Sequence, residues 1–222
     1  MNVARPSAED LTKALKVNPE SGNILIKVVL CGPVSGKTTL VYRFTTGRSR
    51  AGMTPATIGA QFFRKAVSVS GETVELQMWD TGAYLTALHG LNSSKLLTVY
   101  LTKAHGVVLV YDITHMESFR DLRDRVKYIQ KCVHEETEFV LMGTKKDLEA
   151  GREVSRELGE TFAEERGFHF FEASATTGEN FNELFHCLAE QIVRKKRQSE
   201  EDGRISLSSV RQSRNNHRSQ CF

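Results

Sequence analysis

Short blocks of β-branched and aliphatic residues alternate along the chain with longer stretches whose apolar positions recur every three or four residues. The blocks predict strands near 24–31, 62–69, 73–80, 107–112, 138–143 and 168–173, and the stretches predict helices near 37–45, 86–103, 117–134, 155–166 and 179–196. Runs such as Val107-Val108-Leu109-Val110 and Phe139-Val140-Leu141-Met142 carry no polar position, which is the pattern of strands covered on both faces. Strand and helix in alternation predict an α/β fold with a mostly parallel six-stranded sheet and helices on both faces. Gly71, between Val67-Ser68-Val69 and Thr73-Val74-Glu75-Leu76, marks one hairpin and so one antiparallel edge. Ligands of such sheets bind outside the carboxyl ends of the strands.

The candidate chemistry sits at those ends. The first strand runs through Val28-Val29-Leu30-Cys31 into Gly32-Pro33-Val34-Ser35-Gly36-Lys37-Thr38-Thr39, followed by an amphipathic segment. Strand, Gly-Lys-Thr loop and helix together form a phosphate cradle, where backbone N–H groups and the helix N-terminus face an anion. Lys37 is placed to reach β- and γ-phosphates and the Thr38 hydroxyl to meet Mg²⁺. Four more motifs follow in order. They are Thr54-Pro55-Ala56-Thr57-Ile58-Gly59-Ala60-Gln61-Phe62, Trp79-Asp80-Thr81-Gly82-Ala83, Gly143-Thr144-Lys145-Lys146-Asp147 and Glu172-Ala173-Ser174-Ala175-Thr176-Thr177-Gly178. The Asp147 carboxylate can accept from the N1–H and 2-amino donors of guanine. Adenine lacks that donor pair and would leave the carboxylate partly unsatisfied, which disfavours an adenine-using P-loop kinase.

These five motifs together resemble a small GTPase of the Ras superfamily, and the Trp-Asp-Thr and Thr-Ile-Gly-x-x-Phe elements resemble its Rab branch. The likeness covers about residues 24–195 of 222. It implies a single P-loop GTPase domain over 24–197, between an N-terminal extension (1–23) and a flexible basic tail (198–222). It implies binding of GTP and GDP through Gly32, Val34, Ser35, Gly36, Lys37, Thr38, Thr39, Thr57, Ala83, Thr144, Lys145, Asp147, Ser174, Ala175 and Thr176. Mg²⁺ would be held by Thr38, Thr57 and, through water, Asp80. Nucleotide state would order or release segments 48–62 and 82–100. Effectors would meet an apolar cluster of Ile58, Phe62 and Trp79, although Trp79 could equally be strand-end packing. Exchange and activating proteins complete the expected partners. Nucleic acid is not among them, and the chain is expected to be a monomer.

The chain also departs from the family. Cys31 stands where the phosphate-loop pattern has its first Gly, and Pro33, lacking an N–H, and Val34 replace small residues. Thr144 replaces the usual Asn. The Asp-x-x-Gly turn is inverted to Asp80-Thr81-Gly82-Ala83. Tyr84 occupies the position of the water-orienting Gln, counted here with Lys37 among the catalytic positions, and no Gln lies between Gln77 and Tyr100. The aromatic that packs over the base falls near Arg50, whose guanidinium could stack instead; lower base affinity is the alternative. The second switch is longer than in Rab proteins and contains His89, either a remodelled partner surface or a longer loop.

Composition adds the tail. The net charge is +3, yet residues 194–222 hold eight Lys/Arg against three Asp/Glu. Four cysteines show no paired spacing, consistent with a reducing compartment. No membrane span or signal-peptide pattern is present. Cys221, next to the last residue, resembles the lipidated cysteines of Rab tails, although Cys221-Phe222 is not a standard prenylation ending. The expectation is peripheral attachment to the cytosolic face of an endomembrane, with an unmodified thiol as the alternative. Leu11, Ala14 and Leu15 make a short stripe read as a frayed arm or a partner helix. Two functions stay open: a Rab-like nucleotide-dependent switch in membrane trafficking with slow GTP hydrolysis, or a non-catalytic GTP-bound scaffold that recruits partner proteins.

Overall fold

The computed structural model describes residue 18 and residues 21–49, 56–83 and 91–218, with the side chains of 91–94 and 200–218 left aside. Six strands form one sheet: β1 (Ile24–Cys31), β2 (Ala60–Val69), β3 (Glu72–Thr81), β4 (Gly106–Asp112), β5 (Glu138–Thr144) and β6 (His169–Ala173), in spatial order β2-β3-β1-β4-β5-β6. Only β2 and β3 run antiparallel, joined by the Ser70-Gly71 turn, in which both residues take positive φ as a two-residue hairpin loop demands. The predicted strands all fall within two residues of these bounds.

Five α-helices are described: α1 (Lys37–Thr46), α2 (Leu91–Leu101), α3 (Met116–Cys132), α4 (Arg156–Glu164) and α5 (Phe181–Arg218), with a 3₁₀ helix at Lys146–Gly151. The period-two geometry of the strands splits the core in two. Val28, Leu30, Val108, Val110, Val140 and Met142 face α1 and α5, where Leu40, Val41, Phe44, Leu184, Phe185 and Leu188 meet them. Val29, Cys31, Val107, Leu109, Tyr111 and Leu141 face the other side, against Leu97, Leu101, Phe119, Leu122, Val126 and Phe162 of α2, α3 and α4. Burial on both faces explains why β4 is buried at every position.

Composition pointed to a flexible tail from residue 198, whereas α5 continues as helix to Arg218. The chain has no proline after Pro55 and only Gly203 as a glycine beyond Gly178, so the local sequence offers little to end the helix. Lys195 pairs with Glu138, and Arg197 with Glu72 at 3.0 Å, fastening the last packed turns to the sheet.

Candidate functional site

The parallel strands place their carboxyl ends side by side, and the loops that leave them build one continuous cleft. Two adjoining hollows occupy it. One is lined by Val34, Ser35, Gly36, Lys37, Thr38, Thr39, Ala56, Thr57, Thr81, Gly82 and Ala83; the other by Gly36, Thr39, Leu40, Thr144, Lys145, Asp147, Leu148, Ala175 and Thr176. The first brings together Val34, Ser35, Gly36, Lys37, Thr38, Thr39, Thr57 and Ala83 of the expected phosphate and metal residues, with Gly32 and Asp80 outside its lining; the second brings together Thr144, Lys145, Asp147, Ala175 and Thr176 of the expected base residues, with Ser174 outside its lining.

The phosphate loop leaves β1 through Gly32, where an added Cβ would lie 2.1 Å from the carbonyl oxygen of Val110. Only glycine allows β4 to pass this closely. Gly36 takes φ +79 at the N-cap of α1, so the loop turns sharply and aims the helix N-terminus into the cleft. The Lys37 ammonium donates to the carbonyls of Gly32 (2.7 Å) and Pro33 (2.6 Å), lying across the loop. Burial lowers it to about 8, against the opposing pull of Asp80. An anion in the cleft would therefore supply the counter-charge that Lys37 now finds only at a distance. The Cys31 thiol, fully buried behind the loop, is pushed up to about 12 by that burial, so it packs as an apolar group.

Thr38, Thr57 and Asp80 converge. The Thr38 hydroxyl donates to Asp80 Oδ2 at 2.5 Å and lies 2.9 Å from the Thr57 hydroxyl. Asp80 is wholly buried, its other oxygen has no hydrogen-bond partner among the described residues, and desolvation raises its pKa. A buried carboxylate with a free oxygen beside two hydroxyls is an all-oxygen donor set, and it fits Mg²⁺. The first-switch segment carrying Thr57 is seated on Gly82. The Gly82 N–H donates to the Gly59 carbonyl at 2.7 Å, and a Cβ at Gly82 would come within 2.1 Å of the Thr57 oxygen. The inverted Gly82-Ala83 order thus has a steric reason in this chain: the glycine is needed where the switch backbone crosses.

In the second hollow, Asp147 accepts from the Ser174 hydroxyl at 2.5 Å, and that hydroxyl accepts in turn from the N–H groups of Thr176 and Thr177. Lys145 adopts φ +65, and its ammonium pairs with Asp112 at 2.5 Å, which lays the lysine stem along the pocket wall. The Thr144 hydroxyl lies 2.6 Å from the Ser35 carbonyl and 2.9 Å from that of Tyr111. Thr144 therefore ties the phosphate loop to β4 with the single proton it has to give. Sequence reasoning missed Asp112, although an acid closing a wholly apolar strand beside the Lys145 motif was a readable signal. It also missed Arg43, half-buried on α1 and part of no motif.

Ile58 is 97% exposed and Phe62 44%, while Trp79 is half-buried, its ring 5.0 Å from Phe62 and 5.3 Å from Tyr100. Trp79 thus packs at the strand end and keeps part of its surface exposed. Val34, also 77% exposed, stands at the cleft mouth. Tyr84, His89, Arg50, Cys221 and the stripe at Leu11, Ala14 and Leu15 lie outside the described residues.

The sequence pattern of the Ras family matches residues 27–194, well over half of the chain. The chain belongs to the Ras family. Among curated proteins it is similar to "Ras-related protein Rab-12" of Mus musculus, 37% identical over 182 residues that cover 81% of this chain and 72% of that protein. It is likewise similar to human "Ras-related protein Rab-30", 38% identical over 181 residues that cover 81% of this chain and 86% of that one. A third, "Ras-related protein Rab5" of Nicotiana tabacum, is 36% identical over 78% of this chain. The chain is accordingly a Rab-like small GTPase, a nucleotide-dependent switch in membrane trafficking that takes GTP, GDP and Mg²⁺ and meets regulators and effectors. These relatives give no support to the scaffold alternative. No helix among the described residues is long and apolar enough to cross a membrane.

Proposed function

We propose that this Ras-family protein hydrolyses GTP slowly on its own, and that it spends longer in its GTP-bound form than a relative carrying Gln at position 84. The observation behind this reading is Tyr84 directly after Ala83, a residue that lines the phosphate hollow, in a stretch with no substitute Gln. Phosphoryl transfer depends on orienting the attacking water and on stabilising transition-state charge, and a phenol is poorly suited to the first task. Lys37 would face the β- and γ-phosphates and supply the second. Thr38, Thr57 and Asp80 would hold Mg²⁺, which neutralises phosphate charge when bound. Asp147 would read the guanine N1–H and 2-amino group, Lys145 would lie along the purine, and the backbone of Ser174-Ala175-Thr176 would face its O6.

Ile58, Phe62 and Trp79 form the effector surface in this reading. The basic arm and Cys221 attach the monomer peripherally to the cytosolic face of an endomembrane. One lipid chain anchors only marginally, so the arm's attraction to anionic headgroups, about 1 kcal/mol per basic residue near the surface, would have to assist.

Single-turnover hydrolysis of bound GTP tests the central claim. Tyr84→Gln should accelerate it, alone or with Ala83→Gly. Gly82 must be kept, because the Thr57 backbone crosses it within reach of any Cβ. A wild-type rate equal to that of an ordinary Gln-bearing relative, with no gain in either variant, overturns the argument from Tyr84.

A further inference from the structure

α1 carries Lys37 and Thr38 in its first turn and Arg43 about 9 Å further along, since a helix rises 1.5 Å per residue. The Arg43 guanidinium does not point to solvent. One terminal nitrogen donates to the carbonyls of Ala175 (3.0 Å) and Thr176 (2.9 Å), and the other to that of Thr177 (3.3 Å). Its plane lies 5.7 Å from the centre of the Phe181 ring. Gly178 completes the contact: a Cβ there would come 2.6 Å from the second terminal nitrogen. The loop between β6 and α5 is thus gripped from both sides. Its outward carbonyls converge on Arg43, while its inward N–H groups at 176 and 177 converge on the Ser174 hydroxyl, which itself donates to Asp147.

We propose that Arg43 is a positioning residue for guanine recognition, holding the 175–177 carbonyls from the phosphate-binding helix so that Ser174 and Asp147 stay set for the base. The physical reason is the forked shape of the guanidinium, whose donors fit several acceptors at once, where a lysine ammonium is a single point charge. One short helix then grips both ends of the nucleotide, the phosphates through its N-terminus and the base through Arg43. Displacing the loop at Arg43 would release the base end while leaving Lys37 and Thr38 in place. The proposal rests on the reading of Asp147 as the guanine-binding carboxylate.

The test uses the full chain loaded with Mg²⁺ and ribose-labelled fluorescent GDP. Release is followed for wild type, Arg43→Ala, Arg43→Lys and Gly178→Ala, alongside affinities for GDP, IDP and ADP. IDP lacks the 2-amino donor that Asp147 would accept. Arg43→Ala is expected to speed GDP release about tenfold, the scale of one hydrogen bond from a charged donor, and to reduce the GDP-over-IDP preference. Arg43→Lys should fall between wild type and Arg43→Ala. Gly178→Ala, which displaces the guanidinium without deleting it, should follow Arg43→Ala and covers the case in which that variant does not fold. A wild type that does not prefer GDP to ADP overturns the guanine reading and the proposal with it. A wild type that does prefer GDP, with variants whose GDP-over-IDP ratio is unchanged, overturns the positioning role alone, even if their melting temperatures fall.

Discussion

Gly82→Ala is the sharpest test of how the first switch is held. The new methyl would begin 2.1 Å from the Thr57 oxygen and 3.1 Å from that of Gly59, whereas ordinary contact starts near 3.4 Å. Both neighbours are backbone atoms, so the 56–59 segment has to retreat by more than an ångström. Two hydrogen bonds would not survive that retreat: Gly82 N–H to the Gly59 carbonyl at 2.7 Å, and the 2.9 Å contact between the Thr57 and Thr38 hydroxyls. At about 1 kcal/mol each, the loss is about 2 kcal/mol. For a domain of this size that corresponds to a fall of roughly 4–8 °C in melting temperature at 2–4 °C per kcal/mol. The same retreat takes Thr57 away from Asp80, so the GTP-bound variant should also need more Mg²⁺ to retain nucleotide. Ala83→Gly, one residue on, is the control and should do neither. Differential scanning calorimetry with a Mg²⁺ titration of nucleotide release measures both effects. If Gly82→Ala melts with wild type and keeps its Mg²⁺ dependence, the seat on Gly82 does not hold the switch.

Three further outcomes are expected. His105 is buried, its Nδ1 accepts from the Lys27 N–H at 2.8 Å, and burial lowers it to about 4. The unfolded chain therefore takes up a proton that the folded one refuses, so stability present above pH 6.5 is lost as pH falls towards 4, by about 3 kcal/mol at 1.36 kcal/mol per pKa unit. Urea unfolding across that window should show His105→Gln losing about 3 kcal/mol less than wild type; parallel losses refute it. Ile58→Asp, at a 97% exposed position, should leave the melting temperature unchanged and abolish GTP-dependent capture of effectors; retention of every partner counts against the cluster. Intact mass of cell-derived protein should show a lipid on Cys221, and Cys221→Ser should shift the chain out of the membrane fraction; an unmodified thiol with unchanged fractionation leaves only the electrostatic attraction.

The fold was legible because both of its periodicities are strong. Unbroken apolar runs at β4 and β5 are what strands covered on both faces require, and Gly71 announced the one hairpin. The candidate phosphate and base residues meet in one cleft because they fall at strand ends, where parallel topology brings distant positions together. What the sequence hid are the contacts that depend on approach in three dimensions. The inverted Gly82-Ala83 order read only as a departure from the family, and the crossing of the Thr57 backbone over Gly82 shows what the glycine does. No motif marks Arg43, because its three acceptors lie more than 130 positions away. The extent of α5 was missed for another reason: composition reports solubility, and a polar stretch without proline can still be helical.

Trp79 is the chain's one tryptophan, and it lies between Phe62 on β2 and Tyr100 on α2. The protein therefore carries its own optical reporter. The indole touches an element next to each switch, so a rearrangement of either should change its emission without any attached dye. Loading with GTP or GDP could be followed in real time by tryptophan fluorescence, and exchange or hydrolysis read from the same signal in unmodified protein.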